Sequence, residues 1–226
     1  MTALLTADNL SHRYNADNAG MALSFGSFAL NSGELLLVRG PSGCGKSTLL
    51  HLLGGVLPLG SGAGAATVDG RAMAALSGAQ RDALRPFVVG WMPQRHSMIN
   101  SISVLENVLL PVALARKVTA ADRARAIDLL RALDVESLTA RRPADVSVGQ
   151  SARVNLARAL VTQPKLLLAD EPTAALDEAS VSLVAAQLAT YVQSGGGAVV
   201  ASHDTRLRER LFAALGARMI ERDLAQ

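Results

Sequence analysis

The sequence predicts an α/β fold in which apolar strands and helices alternate around a phosphate-binding core. Three observations carry this. First, Leu35-Leu36-Leu37-Val38-Arg39 is an apolar run of strand length, and Thr48-Leu49-Leu50-His51-Leu52-Leu53 is built of helix formers. Second, between them lies Gly40-Pro41-Ser42-Gly43-Cys44-Gly45-Lys46-Ser47, which fits G-x-x-x-x-G-K-[ST] in the strand-to-helix context that the motif needs. Third, two more apolar strands end in chemically active side chains: one in Asp170-Glu171, the other in His203-Asp204.

Composition sets the limits. The 226 residues suffice for one sizeable core, or one core with a small lobe attached. Hydrophobic residues at 50% and charged residues at 18% describe a globular chain, and aromatics at 3% describe an aliphatic core. A formal net charge of +3 is too mild to argue for nucleic acid. The one cysteine, Cys44, excludes an internal disulfide, suits a reducing compartment and reads as a tolerated spacer inside the loop. The N-terminal residues have no basic region and no long apolar segment, so no secretory signal is expected, and no stretch is long and apolar enough to span a membrane. The expectation is a protein that is soluble, or peripheral through a partner, with no further domain after the last helix and strand.

Residues 1–39 read as short strands and turns, with a polar turn at 15–20 and a partly alternating strand at 21–30. Tyr14, beside that turn, is either an ordinary half-buried strand residue or a ring that stacks on a base. In the loop at 40–47 the glycines let the backbone wrap a phosphate closely, and the N–H groups of loop and helix start point at it. Lys46 would reach the β- and γ-phosphates, and the Ser47 hydroxyl would ligate Mg²⁺. The Gly- and Ala-rich stretch at 58–66 reads as a surface loop before a short strand at 67–68, and no chemistry is assigned to it. A strand is expected at 87–92, ending near Gln94, which could ligate Mg²⁺ or position water. His12, His51 and His96 are read as structural.

Residues 101–143 have a helical period. Thr119 with Asp122 resembles a capped helix start, followed by Ala124, Ile127, Leu130 and Leu133 on one face. This reads as a helical lobe inserted between strands, and Arg141-Arg142-Pro143 as a solvated linker. Val146-Ser147-Val148-Gly149-Gln150 precedes a helix expected at 151–161. Ser147 and Gln150 make a capping box by pattern, and the same helix end could bind the γ-phosphate of a nucleotide held elsewhere. In Asp170-Glu171 the alternation of a strand sends the two carboxylates to different work: Asp170 to Mg²⁺ through water, Glu171 to activating a water. Asp177 lies in a turn into a helix at about 178–194. His203 sits at a strand end where α/β ligands bind, or simply opens the next helix.

The order of these motifs resembles the ATP-binding subunit of an ABC transporter across nearly the whole chain. Tyr14 falls at the adenine-stacking position and residues 40–47, with Thr48, at the Walker A loop. Gln94 matches the Q-loop, 146–150 the signature, Asp170-Glu171 Walker B, Asp177 the D-loop and His203 the switch histidine. The resemblance implies a P-loop NTPase core with a mostly parallel sheet, an N-terminal antiparallel β subdomain and an α-helical subdomain at about 95–160, all in one domain over 1–226. It further implies ATP and Mg²⁺ as cofactors, a second ATPase subunit as partner, and a separate transmembrane permease on whose cytoplasmic face the subunit rides. Each ATP would lie between one subunit's loop and the other's Ser147, Gly149 and Gln150. Catalysis would fall to Glu171, His203, Lys46 and Gln94, with Ser47, Gln94 and Asp170 at the metal.

The run Ser101-Ile102-Ser103-Val104-Leu105-Glu106-Asn107-Val108-Leu109-Leu110-Pro111 and the phrase Ala169-Asp170-Glu171-Pro172-Thr173 resemble the lipoprotein-release and macrolide-export branch; some amino-acid importers carry similar phrases. One departure stands out: the family signature is Leu-Ser-Gly-Gly-Gln, and here Val148 replaces the first glycine. A β-branched side chain restricts backbone angles that glycine allows, so slower or more partner-dependent hydrolysis is expected. A non-transport ATPase acting on nucleic acid is opposed by the single ATPase unit, the lack of a long coiled-coil insertion and the weak charge. A nucleotide-dependent scaffold is opposed by the intact Lys46, Asp170, Glu171 and His203.

Overall fold

The structure, a computed structural model, describes residues 3–14, 22–59, 63–72, 76, 80, 86–95 and 98–224. The turn at 15–20, Met21, the 60–62 part of the small-residue loop, His96 and residues 1–2 and 225–226 lie outside the described residues. The chain opens with β1 (Leu5–Arg13), β2 (Ala22–Leu30), β3 (Leu35–Arg39), α1 (Lys46–Leu53) and β4 (Ala65–Val68). Then come β5 (Val89–Met92), α2 (Val104–Ala115), α3 (Ala120–Ala132), α4 (Val148–Leu160) and β6 (Leu166–Asp170). Helix α5 (Glu178–Gln193), β7 (Gly197–Ala201), α6 (Thr205–Leu215) and β8 (Met219–Asp223) complete it.

Five strands form a parallel sheet in the order β5-β6-β7-β3-β8, and β2-β1-β4 form a separate antiparallel sheet. Alternation along the parallel strands builds two cores. Leu35, Leu37, Leu167, Ala169, Ala198 and Val200 face the helices, where Val108, Leu130, Leu156, Val184 and Leu207 meet them. Leu36, Val38, Leu166, Leu168, Val199 and Ala201 face the other way, onto Leu49 and Leu53 of α1 and Leu5, Leu30 and Val68 of the antiparallel sheet. Both faces of β6 and β7 are buried, which is why these strands read as unbroken apolar runs. By the same alternation Asp170, in phase with Leu166 and Leu168, is directed to the α1 side.

Several local expectations change. Residues 86–88 are helical and β5 begins only at Val89; Phe87 turns away from the sheet, with the Arg116 guanidinium 5.9 Å above its ring. On α3 the buried face is Ala126, Leu130 and Leu133, with Ala124 exposed. Asp122 lies on that same face: its carboxylate completes the capping box, pairs with Arg116 and is itself buried. Helix α4 starts at Val148, so the signature residues are its first turn and not a preceding loop. Arg141 and Arg142 are more than a linker: the Arg141 carbonyl accepts from the Val104 N–H at 2.9 Å, and Arg142 donates to the Ser101 carbonyl.

The small residues at 63–66 gain a reason. Gly64 has φ +81°, and a Cβ there would lie 2.2 Å from the Asp8 carbonyl oxygen. Ala63 accepts from the Ser11 N–H at 2.9 Å, and β4 pairs with β1 from Ala65 on. Nothing larger than glycine fits where this segment crosses the irregular register of β1. His12 packs edge-on against Tyr14, and His51 lies against Trp91 with ring centres 5.0 Å apart.

Candidate nucleotide site

Helix α1 begins at Lys46 with Gly45 as its N-cap, at φ 101° and with no side-chain cap. The first-turn N–H groups of the helix are therefore left without a capping side chain, beside a loop whose Gly40 (φ 138°) and Gly43 (φ 84°) also take left-handed angles. A Cβ on Gly45 would come within 2.9 Å of Leu23 Cδ1, and one on Gly40 within 2.6 Å of Cys44 Sγ. So Cys44 has a packing part against Gly40. Lys46 is buried and its Nζ donates to the carbonyls of Gly40 (2.8 Å) and Pro41 (3.1 Å). A helix N-terminus, inward N–H groups and a buried ammonium together make an anion site.

Two strand ends bring the acids to this loop. Asp170 ends β6 and is buried, lines the cavity beside Ser47, and its Oδ1 has no hydrogen-bond partner among the described residues. Burial pushes its carboxyl above the usual carboxylate range. Glu171 follows with φ 49°, an angle a non-glycine residue rarely adopts, and its N–H is held by the Ala201 carbonyl at 2.8 Å. That turn aims its carboxylate at the end of β7. Oε1 lies 2.8 Å from His203 Nδ1 and 4.0 Å from Lys46 Nζ, and Oε2 accepts from the Ser202 hydroxyl at 3.3 Å. Glu171 is buried while the His203 ring is largely exposed, so the pair joins the interior to the open face.

The loop and the two acids line a cavity of about 310 Å³. Lys46, Ser47, Thr48, Asp170 and Glu171 form its floor, and Tyr14, Gln94 and Leu23 stand on its walls. The Tyr14 hydroxyl hydrogen-bonds Thr48 Oγ1, and Tyr14 is 55% exposed, unlike a half-buried strand residue. The remaining sequence-derived residues are placed elsewhere. His203, Ser147, Gly149, Gln150 and Asp177 do not line this cavity; His203 reaches it only through its bond to Glu171. Ser147 and Gln150 bond each other as a capping box on α4, and Asp177 caps α5 through the Ser180 N–H, which holds its carboxyl below the usual range. Sequence reasoning missed Leu23, whose contact with Gly45 bridges two elements, and Ser202, which stands directly before His203 and could have been read with it.

The donor set fits a small hard cation. A buried carboxylate oxygen without a partner beside a hydroxyl is what Mg²⁺ takes from protein when phosphates and water complete its shell. Ser47 and Asp170 would hold it, and when bound it would neutralise charge on the phosphate oxygens. With a phosphate cradle, a buried Asp170 and a buried Glu171 bonded to the exposed His203 ring, fold and site define a P-loop nucleoside-triphosphatase.

A family model described as ABC transporter matches residues 23–174, two strands upstream of the phosphate loop through the turn after Glu171. The chain belongs to the ABC transporter family and is an ABC-type ATPase. Among solved structures it is similar to MJ0796, a bacterial ABC transporter cassette, in its dimeric form: 27% identity, TM-score 0.85, covering 97% of this chain and 94% of that one. A post-hydrolysis state of the same cassette, dimeric and bound to ADP and Pi, matches at 27% identity and TM-score 0.83 over 91% of this chain and 90% of that one. An inward-facing metal-chelate type ABC transporter matches at 31% identity and TM-score 0.71, covering 90% of this chain and 74% of that one.

Proposed function

We propose that this chain is the ATP-driven subunit of a transporter whose membrane-spanning part is a separate permease, of the lipoprotein-release or efflux type. None of its described helices is long and apolar enough to cross a membrane. The observation that carries the reading is the end of β5. Trp91 and Pro93 line an open, mostly apolar groove of about 600 Å³ together with Leu110, Pro111 and a 79%-exposed Leu114, and the next residue, Gln94, lines the nucleotide cavity. A cytoplasmic helix of a permease seated in that groove would touch the same short segment that senses nucleotide. The 101–111 run, which supports the efflux branch, supplies Leu110 and Pro111 to the groove's lining.

In this reading ATP binds with its adenine on Tyr14 and its phosphates in the loop. Water attacks the γ-phosphorus in line, Glu171 takes its proton, and ADP leaves. His203 holds the Glu171 carboxylate and reaches the γ-phosphate from the open side, Lys46 lies along the β- and γ-phosphates, and Gln94 positions the water and the metal. Two copies pair face to face, each Ser147-Gly149-Gln150 helix end closing on the other's ATP, with Asp177 between them. ATP favours the closed pair and hydrolysis releases it, so the permease is driven mechanically from the cytoplasmic side.

The test is turnover and oligomeric state of the wild type and Glu171→Gln, with and without ATP-Mg²⁺. Removing the general base is expected to lower turnover about 10²–10⁴-fold while leaving ATP bound in a trapped dimer. Glu171→Gln turning over like wild type would remove Glu171 from the mechanism. In membranes holding the permease, Leu114→Asp is expected to lose the stimulated part of turnover, and full stimulation would remove the groove from the coupling.

A further inference from the structure

Glu171 and His203 come from two different loops, one after β6 and one after β7; besides the bonds that Glu171 itself makes to Ser202 and His203, one further side chain ties these loops together. The Arg206 guanidinium makes a two-point bond to Asp204, Nε to Oδ1 at 3.0 Å and Nη2 to Oδ2 at 2.9 Å. Its third nitrogen, Nη1, donates to the Leu176 carbonyl at 3.2 Å, on the far side of the 171–177 turn. From Asp204 the chain of bonds runs inward: its N–H donates to Ser202 Oγ at 3.1 Å, and the Ser202 hydroxyl donates to Glu171 Oε2. From Leu176 it runs outward: the buried Leu176 side chain packs over Gly149 at the start of α4, where an added Cβ would lie 3.4 Å from Leu176 Cδ2.

We infer that Arg206 is a positioning residue for hydrolysis, holding the Leu176–Asp177 turn and the His203 loop in one register. Asp204 is already engaged at the start of α6 through the Arg206 N–H at 3.0 Å. The guanidinium adds what a cap alone lacks, a rigid planar link from that helix start to the neighbouring turn. Lysine offers a point charge on a flexible stem, so it would keep the attraction to Asp204 and lose the fixed three-way geometry. Neither glutamine nor alanine keeps either.

The inference rests on Glu171 and His203 acting in hydrolysis as proposed above, and Glu171→Gln serves as its reference. Arg206→Ala is expected to lower kcat about tenfold, the scale of a small misplacement of reacting groups, with KM and ATP affinity held within about twofold. Arg206→Lys is expected to recover part of kcat. Amide exchange is expected to quicken at residues 174–177 in Arg206→Ala, whether or not turnover is fast enough to measure. Arg206→Gln is read in the same way where the alanine variant does not fold. Wild-type kcat and wild-type exchange in Arg206→Ala would overturn the assignment. So would a joint fall of kcat, ATP affinity and Tm that Arg206→Lys does not relieve, since that marks a purely structural residue. If Glu171→Gln itself keeps full turnover, the hydrolytic pair is misassigned and the Arg206 role falls with it; if Glu171→Gln is inactive and Arg206→Ala normal, only the Arg206 role falls.

Discussion

The starts of α1 and α4 are built in opposite ways. Both are helix N-termini, yet α1 is capped by Gly45 without any side chain, while Ser147 and Gln150 close α4 with a reciprocal capping box, 3.2 Å and 3.0 Å. An open end offers its N–H groups to a ligand from the same chain at once. A closed end has already satisfied its third donor internally and gains stability alone. The difference teaches that one helix end keeps its N–H groups open beside the loop, while the other is already closed on itself.

The strongest way to break the comparison is to close the open end. Gly45→Ala puts a Cβ 2.9 Å from Leu23 Cδ1 at φ 101°. If the loop relieves about 1–3 kcal/mol of strain by leaving its phosphate-binding shape, ATP affinity falls about tenfold to a hundredfold. A titration of the full chain with ATP that shows wild-type affinity would mean that the open geometry is dispensable.

A third helix start, α3, tests whether capping in this lobe is structural. Thr119 and Arg116 surround the buried Asp122, with Arg116 donating at 2.7 and 2.9 Å, and these bonds, Arg116's first, hold its carboxyl far below the usual carboxylate range. Because the folded state prefers the charged form, this stabilisation is complete above the pKa of the unfolded chain and is lost as pH falls toward the depressed folded value. Asp122→Asn is therefore expected to lower Tm by several degrees at neutral pH, with the gap to wild type closing in acid. A gap that does not depend on pH would assign the effect to packing.

Opening the closed end is expected to do less. Ser147→Ala removes one cap, about 1 kcal/mol, which is about 2–4 °C in Tm for a chain of this size. If ATP binding by the isolated chain falls as steeply as in Gly45→Ala, the two ends are not different in kind. The smallest effect belongs to Val148→Gly. Val148 is the first residue of α4, helical and 67% exposed, so the structure needs no glycine there and backbone restriction is not what Val148 changes. Only its side chain can matter, standing toward whatever α4 meets. Stability is expected to fall by about 0.3–0.5 kcal/mol from helix propensity. Turnover of the assembled complex is expected to rise, and unchanged turnover would leave Val148 without a role.

Some of this was written in short range along the chain. The phosphate loop, the capping boxes at Thr119-Asp122 and Ser147-Gln150, and the apolar strands ending in Asp170-Glu171 and His203 each depend on residues a few positions apart, where backbone geometry alone sets the chemistry. The two-faced burial of β6 likewise shows in its composition. What only the tertiary structure decided are contacts between residues distant in sequence: Arg206 on the Leu176 carbonyl, Gly64 against Asp8, Arg142 on Ser101, Leu23 over Gly45. Such pairs have no period and no motif, because their distance is set by how whole elements pack. For the same reason Ala124 reads as a core residue by spacing and is exposed, while Asp122, Ala126 and Leu130 face the core. Local sequence determined which groups could bind phosphate and move a proton; packing decided which of them face one another.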